Sequence, residues 1–296
     1  MAGRLYVCAT PIGNLGDMTP RAVETLRMVD LIAAEDTRNS IKLLNHFDIH
    51  TPMTSYHEFN KYDKAEELAA KLLEGQNIAV ITDAGTPCIS DPGEVLVRRC
   101  AELGIEVTSV PGASAVITAL TLSALSTRRF VFEGFLPPVK QKKERQAALA
   151  RLKDETRTIV LYEAPHHLQE TLSELCSVLG ASRQISLCRE MTKRYEEVLR
   201  TTLSEAVRLQ PKGEYVLVVA GRPEEEVEAE RQQALESLGV GEHMERYLAQ
   251  GMDKKEAMKA VAKDRGISKR DVYQALEAEK AEKTEKKGQV ERDDPV

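Results

Sequence analysis

Thr82-Asp83-Ala84-Gly85-Thr86-Pro87-Cys88-Ile89-Ser90-Asp91-Pro92-Gly93 is the stretch that decides the fold. Upstream of it, Ile78 to Ile81 is an apolar run bounded by Gly75, short enough for a buried strand. Downstream, Glu94 to Leu103 carries Val95, Leu96, Cys100 and Leu103 at helical spacing. The loop therefore leaves a strand's carboxyl end and opens a helix, the place where open α/β sheets bind ligands. Gly85 and Gly93 allow close approach of the backbone, and Pro87 and Pro92 stiffen it. The loop has neither the lysine of a phosphate-binding P-loop nor the spacing of a G-x-G-x-x-G fingerprint. A small polar ligand other than a nucleoside triphosphate or a dinucleotide suits it. Taken alone, the same residues also read as an ordinary turn with an Asp-Pro helix start.

The same strand-loop-helix order recurs on both sides. Arg4 to Thr10 is a strand, and Thr19 with Pro20 behind it starts a helix through Met28. A strand over 30–34 closes with Glu35-Asp36-Thr37-Arg38, followed by helices over 38–46 and 61–74. A strand over 106–110 runs through Pro111 into a small-residue helix over 114–124. From Phe130 a second series begins: strand 130–134, helix 141–153, strand 157–162, helix 166–179, strand 184–188, a charged strand pair around 195–202 and a last strand over 215–220. The expected fold class is α/β with a largely parallel sheet. The domains are 1–124, 125–222, a helix-turn-helix-like helical piece over 232–280 with Ser268 as an N-cap, and a charged, disordered tail over 281–296.

Composition narrows the function classes. The chain has 296 residues, 42% apolar and 30% charged, with a formal net charge of −6. That excludes a uniformly basic nucleic-acid coat, so any nucleic-acid contact is local. No apolar run approaches transmembrane length, and Met1 leads directly toward a strand without a signal-like segment, so a cytoplasmic location and no membrane partner are expected. The cysteines (Cys8, Cys88, Cys100, Cys176, Cys188) are scattered and form no C-x-x-C, which argues against disulfides and zinc. The adjacent His166 and His167 do not share a helix face, so no metal is expected. Aromatics are scarce (4%, no Trp), which disfavours a protein built on base-stacking platforms. The sharpest positive run is Lys140-Gln-Lys142-Lys143-Glu-Arg145; in a net-acidic chain it reads as an RNA-phosphate contact, with a solvated helix face as the alternative. Lys254, Lys255, Lys269 and Arg270 make the C-terminal helices a second RNA-binding candidate, with docking on a partner subunit as its rival.

Several loops taken together resemble one family, the tetrapyrrole methylase-like, class III S-adenosylmethionine (SAM) methyltransferases. They are Ala9-Thr-Pro-Ile-Gly-Asn-Leu-Gly-Asp17, Ala34-Glu-Asp-Thr-Arg38, Asp83 to Gly93, Val110-Pro-Gly-Ala-Ser-Ala115, Glu133-Gly-Phe-Leu-Pro137, Tyr162-Glu-Ala-Pro-His166, Cys188-Arg-Glu-Met-Thr-Lys193 and Lys212-Gly-Glu214. The ordered set spans the chain to about residue 222. The Asp-Ala-Gly-Thr-Pro and Ala-Glu-Asp-Thr-Arg segments are similar to a branch acting on ribosomal RNA. The chain departs from the family at Phe59-Asn60-Lys61, where a His-Asn-Glu-like run is expected, and at His167 and Thr201.

The resemblance implies two α/β domains with SAM folded in the cleft between them. It implies cofactor contacts from Pro11, from Asp83, Gly85, Thr86, Pro87, Ile89 and Ser90, from Ser114 and Ala115, and from Tyr162, Ala164, Lys212 and Gly213. Further implications are a homodimer and, as substrate, the ribose 2′-hydroxyl of a cytidine in small-subunit rRNA near the decoding centre. A ribose hydroxyl is a poor nucleophile, so a base or an alkoxide-stabilising cation is needed. Glu35, Asp36, Arg38, Asn60, Glu163, Glu190 and Lys193 are the candidates, with Glu190, Lys193, Arg38 and Asn60 carried forward as catalytic. The competing functions are a small-molecule methyltransferase of the same fold acting on a tetrapyrrole, and a non-catalytic RNA-binding regulator.

Overall fold

The computed structural model describes the backbone of residues 2–210 and 213–290, in two compact units divided between Arg222 and Pro223. Lys212, expected at the cofactor, lies outside the described residues.

The first unit holds two five-stranded sheets. In the first, β1 (Arg4–Cys8), β2 (Leu31–Ala34), β3 (Met53–Ser55), β4 (Ile78–Ile81) and β5 (Glu106–Val110) lie in the order β3-β2-β4-β1-β5. Every pairing in it is parallel. A parallel sheet needs both faces covered, and the alternation along the strands divides them. Cys8, Ile32, Ala34, Ala79 and Ile81 face α1 (Pro20–Met28) and α2 (Thr37–His46). Leu5, Ala33, Ile78 and Val80 face α3 (Lys61–Leu73) and α4 (Gly93–Glu102). The expected Thr19 cap is in place, its hydroxyl accepting from the Ala22 amide at 3.1 Å. Parallel strands align their carboxyl ends, so the loops after β1, β2, β4 and β5 share one edge.

The second sheet runs β6-β7-β10-β8-β9, with β6 (Phe130–Phe135), β7 (Thr158–Glu163), β8 (Gln184–Arg189), β9 (Glu197–Thr202) and β10 (Tyr215–Val219). Only β6 and β7 pair in parallel; β10 inserts antiparallel between β7 and β8, and β9 folds back on β8. The charged strand pair expected around 195–202 is therefore one strand of a hairpin whose other strand is β8. One face packs on α6 (Lys142–Leu152), α7 (Leu168–Leu179) and α8 (Leu203–Ala206). The opposite face takes α5 (Ala115–Leu122), through Val116, Ala119 and Leu120 against Val160, Val216 and Val218. This helix joins the first sheet to the second.

The second unit is helical: α9 (Glu224–Ser237), α10 (Val240–Ala249), α11 (Lys254–Asp264) and α12 (Lys269–Val290). Its core is Val240, Met244, Ala257, Val261, Ala262 and Val272. Ser268 caps α12 reciprocally: its hydroxyl accepts from the Asp271 amide at 3.2 Å, and the Asp271 carboxylate accepts from the Ser268 amide at 3.0 Å. The Glu279 carboxylate of α12 accepts from the Val240 and Gly241 amides at 2.6 and 2.8 Å, stabilising the amino end of α10. Where the sequence suggests disorder from 281, the helix continues to Val290. Half of that stretch is Glu and Lys, strong helix formers that need no apolar face; residues 291–296 lie outside the described residues.

Among the described residues no helix is long and apolar enough to cross a membrane, and the cysteines are free thiols.

Candidate active site

At the shared carboxyl edge of the first sheet the loops are bonded to one another. The Thr10 amide donates to the Gly85 carbonyl at 2.9 Å, and the buried Thr10 hydroxyl donates to Thr82 at 3.2 Å, joining the loops after β1 and β4. The Thr86 hydroxyl donates to the Ala113 carbonyl at 2.9 Å, joining the loops after β4 and β5. The Asp83 carboxylate accepts from the Asp36 amide at 3.2 Å and the Asn39 side chain at 3.1 Å, holding the loop after β2.

A cavity of about 240 Å³ opens between this edge and the second sheet. Ala115, Tyr162, Ala164, Glu190 and Lys193, all named from the sequence, line it. Pro11, Asp83, Gly85, Thr86, Pro87, Ile89, Ser90 and Ser114 belong to the surrounding loops; their neighbours Ile12 and Ala84 contribute the wall. Ile12, Phe135, Met191, Glu214, Tyr215 and Val216 also line the cavity and were not named as site residues. Glu214 was readable, since it closes the last quoted motif.

Backbone strain gathers here. Cys88, Ser90, Glu190 and Thr192 have φ of 71°, 64°, 48° and 66°, unusual for residues with a Cβ and typical of over-determined functional loops. Gly213, at φ 75°, has a separate steric reason: a Cβ there would lie 2.7 Å from Oε1 of Glu190. The glycine makes room for the Glu190 carboxylate, whose Oε1 lies 3.3 Å from Nζ of Lys193. The stem of Lys193 crosses Gly13 of the first loop, where an added Cβ would come within 2.6 Å of it. Glu190, Lys193, Gly13 and Gly213 thus form one packed group at the cavity wall.

Titration behaviour limits the roles available. Burial pushes the Tyr162 phenol up, with a Val116 backbone hydrogen bond working against it, so Tyr162 stays a neutral phenol at neutral pH. The Cys88 thiol is pushed up to about 12, by burial first and then by Asp91 and Glu94. Cys88 is therefore a protonated thiol and not a nucleophile.

The structure separates the other candidates. Asn60 uses its amide within its own turn, accepting from the His57 amide at 2.8 Å and donating to Ser55 at 3.3 Å; it does not line the cavity. The Arg38 side chain is 88% exposed and pairs with Asp36 at 2.7 Å, outside the cavity wall. Lys140, Lys142, Lys143, Lys254, Lys255, Lys269 and Arg270 are exposed. Arg145 is the correction: it is 4% exposed, and its guanidinium pairs with Glu174 at 2.6 Å and donates to Pro137 and to Thr171 at 2.8 and 2.7 Å. A guanidinium so placed cannot contact phosphate. The Thr171 hydroxyl in turn donates to Glu163, a buried carboxylate at the cavity wall. Among the described residues no group of three or more His, Cys, Asp and Glu is placed to hold a metal ion.

Residues 4–207 match the family model described as Tetrapyrrole (Corrin/Porphyrin) Methylases. The chain belongs to this family. Among its relatives, a protein of Synechocystis sp. named ribosomal RNA small subunit methyltransferase I is 49% identical over 94% of this chain and 99% of its own length. Proteins of the same name from Halalkalibacterium halodurans and Bacillus subtilis are 51% and 47% identical, each over 92% of this chain and 93% and 94% of their own lengths. Solved structures share the fold at low identity. Diphthine synthase aligns with TM-score 0.57 at 12% identity, covering 74% of this chain and 89% of its own. Uroporphyrin-III C-methyltransferase from Thermus thermophilus, complexed with S-adenyl homocysteine, aligns with TM-score 0.53 at 14% identity, covering 74% and 97%. The methyl donor is SAM, as the methylase family and the methyltransferase relatives imply. The cavity fits such a group: apolar walls at Ile12, Ala115 and Met191 suit an aromatic base, and carboxylates at Glu163, Glu190 and Glu214 suit a cationic one.

Proposed function

We propose that this chain methylates the ribose 2′-hydroxyl of a cytidine in small-subunit rRNA near the decoding centre. The observation that carries the reading is near-full-length identity of 49% to a relative named for small-subunit rRNA methylation, with Glu190 and Lys193 paired at the cavity wall. Bound SAM supplies a methyl group on a sulfonium, already activated toward displacement.

The chain's own residues do the remainder. The bonded loops after β1, β4 and β5 fix the cavity's edge before substrate arrives, so orientation is largely set in the fold. In this reading Glu190 accepts the hydroxyl proton and the Lys193 ammonium stabilises the oxygen as negative charge develops on it; the 3.3 Å pairing of the two at the cavity wall supports it. Pro11, Asp83 to Ser90, Ser114, Ala115, Tyr162, Ala164 and Gly213 hold the cofactor, chiefly through backbone and loop shape. Lys140, Lys142 and Lys143 contact phosphates flanking the target, with Lys254, Lys255, Lys269 and Arg270 as a second basic surface. The working assembly is a homodimer in the cytoplasm, which sedimentation of the purified chain tests directly.

The substrate class is tested by incubating the chain with methyl-labelled SAM and either unmethylated small ribosomal subunits, protein-free small-subunit rRNA or a tetrapyrrole. Label in the ribosomal substrates supports the reading. Label in the tetrapyrrole alone replaces it with the small-molecule reading, and RNA binding without label replaces it with the regulator.

A further inference from the structure

Strand β6 contains an irregularity with a consequence for substrate binding. Its pairing with β7 runs Phe130 to Thr158, Val131 to Ile159 and Phe132 to Val160, then resumes at Gly134 with Leu161 and Phe135 with Tyr162. Glu133 is an inserted residue, a β-bulge. Before the bulge, Phe130 and Phe132 face the cavity side and Val131 the opposite core. Strict alternation would send Phe135 with Val131 into that opposite core. The bulge reverses the parity, so Phe135 lies beside Tyr162 on the cavity side.

The bulge depends on a glycine. Gly134 has φ of 65°, and a Cβ on it would lie 2.7 Å from the Ser90 hydroxyl of the loop after β4. Phe135 is braced as well as redirected: its ring centroid is 5.4 Å from that of Tyr162, which in turn meets Phe132 edge-on at 5.0 Å. Despite this bracing Phe135 is 57% exposed. A phenylalanine serving the core would be buried, and a bulge is not needed to expose a surface residue. The chain then runs through Leu136, Pro137 and Pro138 to the exposed lysines at 140, 142 and 143. Five residues span at most about 18 Å, so Lys140 lies within a few nucleotides of the ring.

We infer that Phe135 is the platform on which the base of the target nucleotide, or of its immediate neighbour, stacks, so that the attached ribose is presented to Glu190 and Lys193. The inference rests on the rRNA-methylation reading and adds to it a residue that binds substrate. Stacking on one aromatic face accepts any base, so Phe135 positions the nucleotide and does not by itself select cytidine. The scarcity of aromatics in the sequence does not weigh against this, because one ring placed by a bulge is sufficient.

The test uses the full chain as wild type and as Phe135→Ala, Phe135→Leu and Phe135→Trp. Methyl transfer to unmethylated small ribosomal subunits gives KM and kcat, and calorimetry gives the affinity for SAM. Phe135→Ala and Phe135→Leu are expected to raise KM for the subunit about 5- to 150-fold, the range for loss of one base–aromatic stack. Their SAM affinity and melting temperature stay near wild type, and Phe135→Trp restores KM. The natural chain has no tryptophan, so Phe135→Trp is also a single fluorescent reporter. Its emission should be quenched by protein-free small-subunit rRNA and not by SAM. Unchanged KM in both Ala and Leu variants of an enzyme active as wild type overturns this inference alone, as does a matching loss of SAM affinity. Wild type that transfers no methyl to RNA overturns the parent reading and this inference with it.

Discussion

Arg145 separates the structural from the electrostatic reading of the basic segment, and its replacement gives the sharpest stability prediction. In Arg145→Met the buried ion pair with Glu174 and the donations to Pro137 and Thr171 are lost together. Breaking a buried pair by removing one partner costs roughly 3–5 kcal/mol. Glu174 is 30% exposed and can recover some hydration, which places the cost toward the lower end, about 3 kcal/mol. For a unit of this size each kcal/mol shifts the melting temperature by about 2–4 °C, so a fall of about 6–12 °C is expected. The same variant should leave the salt dependence of RNA binding unchanged. Lys142→Ala and Lys143→Ala should behave oppositely, keeping the melting temperature and each lowering the slope of log affinity against log salt by about 0.7–0.9. The assay is calorimetric melting beside RNA titration at several salt concentrations. An Arg145→Met protein that melts like wild type and loses RNA affinity would refute the argument.

Three further outcomes follow from particular geometries. Gly213→Ala forces a Cβ to within 2.7 Å of the Glu190 carboxylate at a positive φ, so strain and overpacking together should cost about 2–4 kcal/mol, with methyl transfer falling more than SAM binding; equal activity would remove Glu190 from the chemistry. Hydrogen bonding to the Arg38 side chain and backbone holds the Asp36 carboxyl down to about 2. Its pair with Arg38 should thus be fully present above the ordinary aspartate range and be lost only as pH falls through about 2. NMR titration of that carboxyl checks this, and Arg38→Ala should return the midpoint toward the ordinary value. In the helical unit, burial first and Arg265 next lower the pKa of His243. A lowered pKa means that the unfolded chain takes up the proton more readily, so the contribution of His243 is present above pH 6.5 and lost as pH falls below it. Hydrogen-exchange protection in α10 and α11, taken relative to the intrinsic exchange rate at each pH, should fall below that point, and His243→Gln should blunt the effect.

The loop after β4 was legible because its glycines, prolines and flanking apolar runs state strand, turn and helix without tertiary help. The capped start of α1 was legible for the same reason. The antiparallel order of the second sheet was not, since β10 reads as any buried apolar strand and only pairing reveals its direction. β3 is a short, half-buried strand with no run long enough to detect. Arg145 carried a signal that charge obscured: it stands three, four and seven residues before the buried Ala148, Leu149 and Leu152, on the same helical stripe. Asn60 read as chemistry because of a motif position, whereas its amide closes its own turn. Phe135 was hidden by parity, because one inserted residue moves a side chain to the other face of a strand and no local pattern marks it.

The claim on which the account turns is the atom methylated. The direct measurement is alkaline hydrolysis of small-subunit rRNA labelled by this chain from SAM, followed by identification of the labelled nucleoside. Methylation of the ribose oxygen removes the hydroxyl that attacks the adjacent phosphodiester, so the account predicts label in an alkali-resistant dinucleotide beginning with cytidine. Label in an alkali-labile mononucleotide places the methyl on a base and contradicts it.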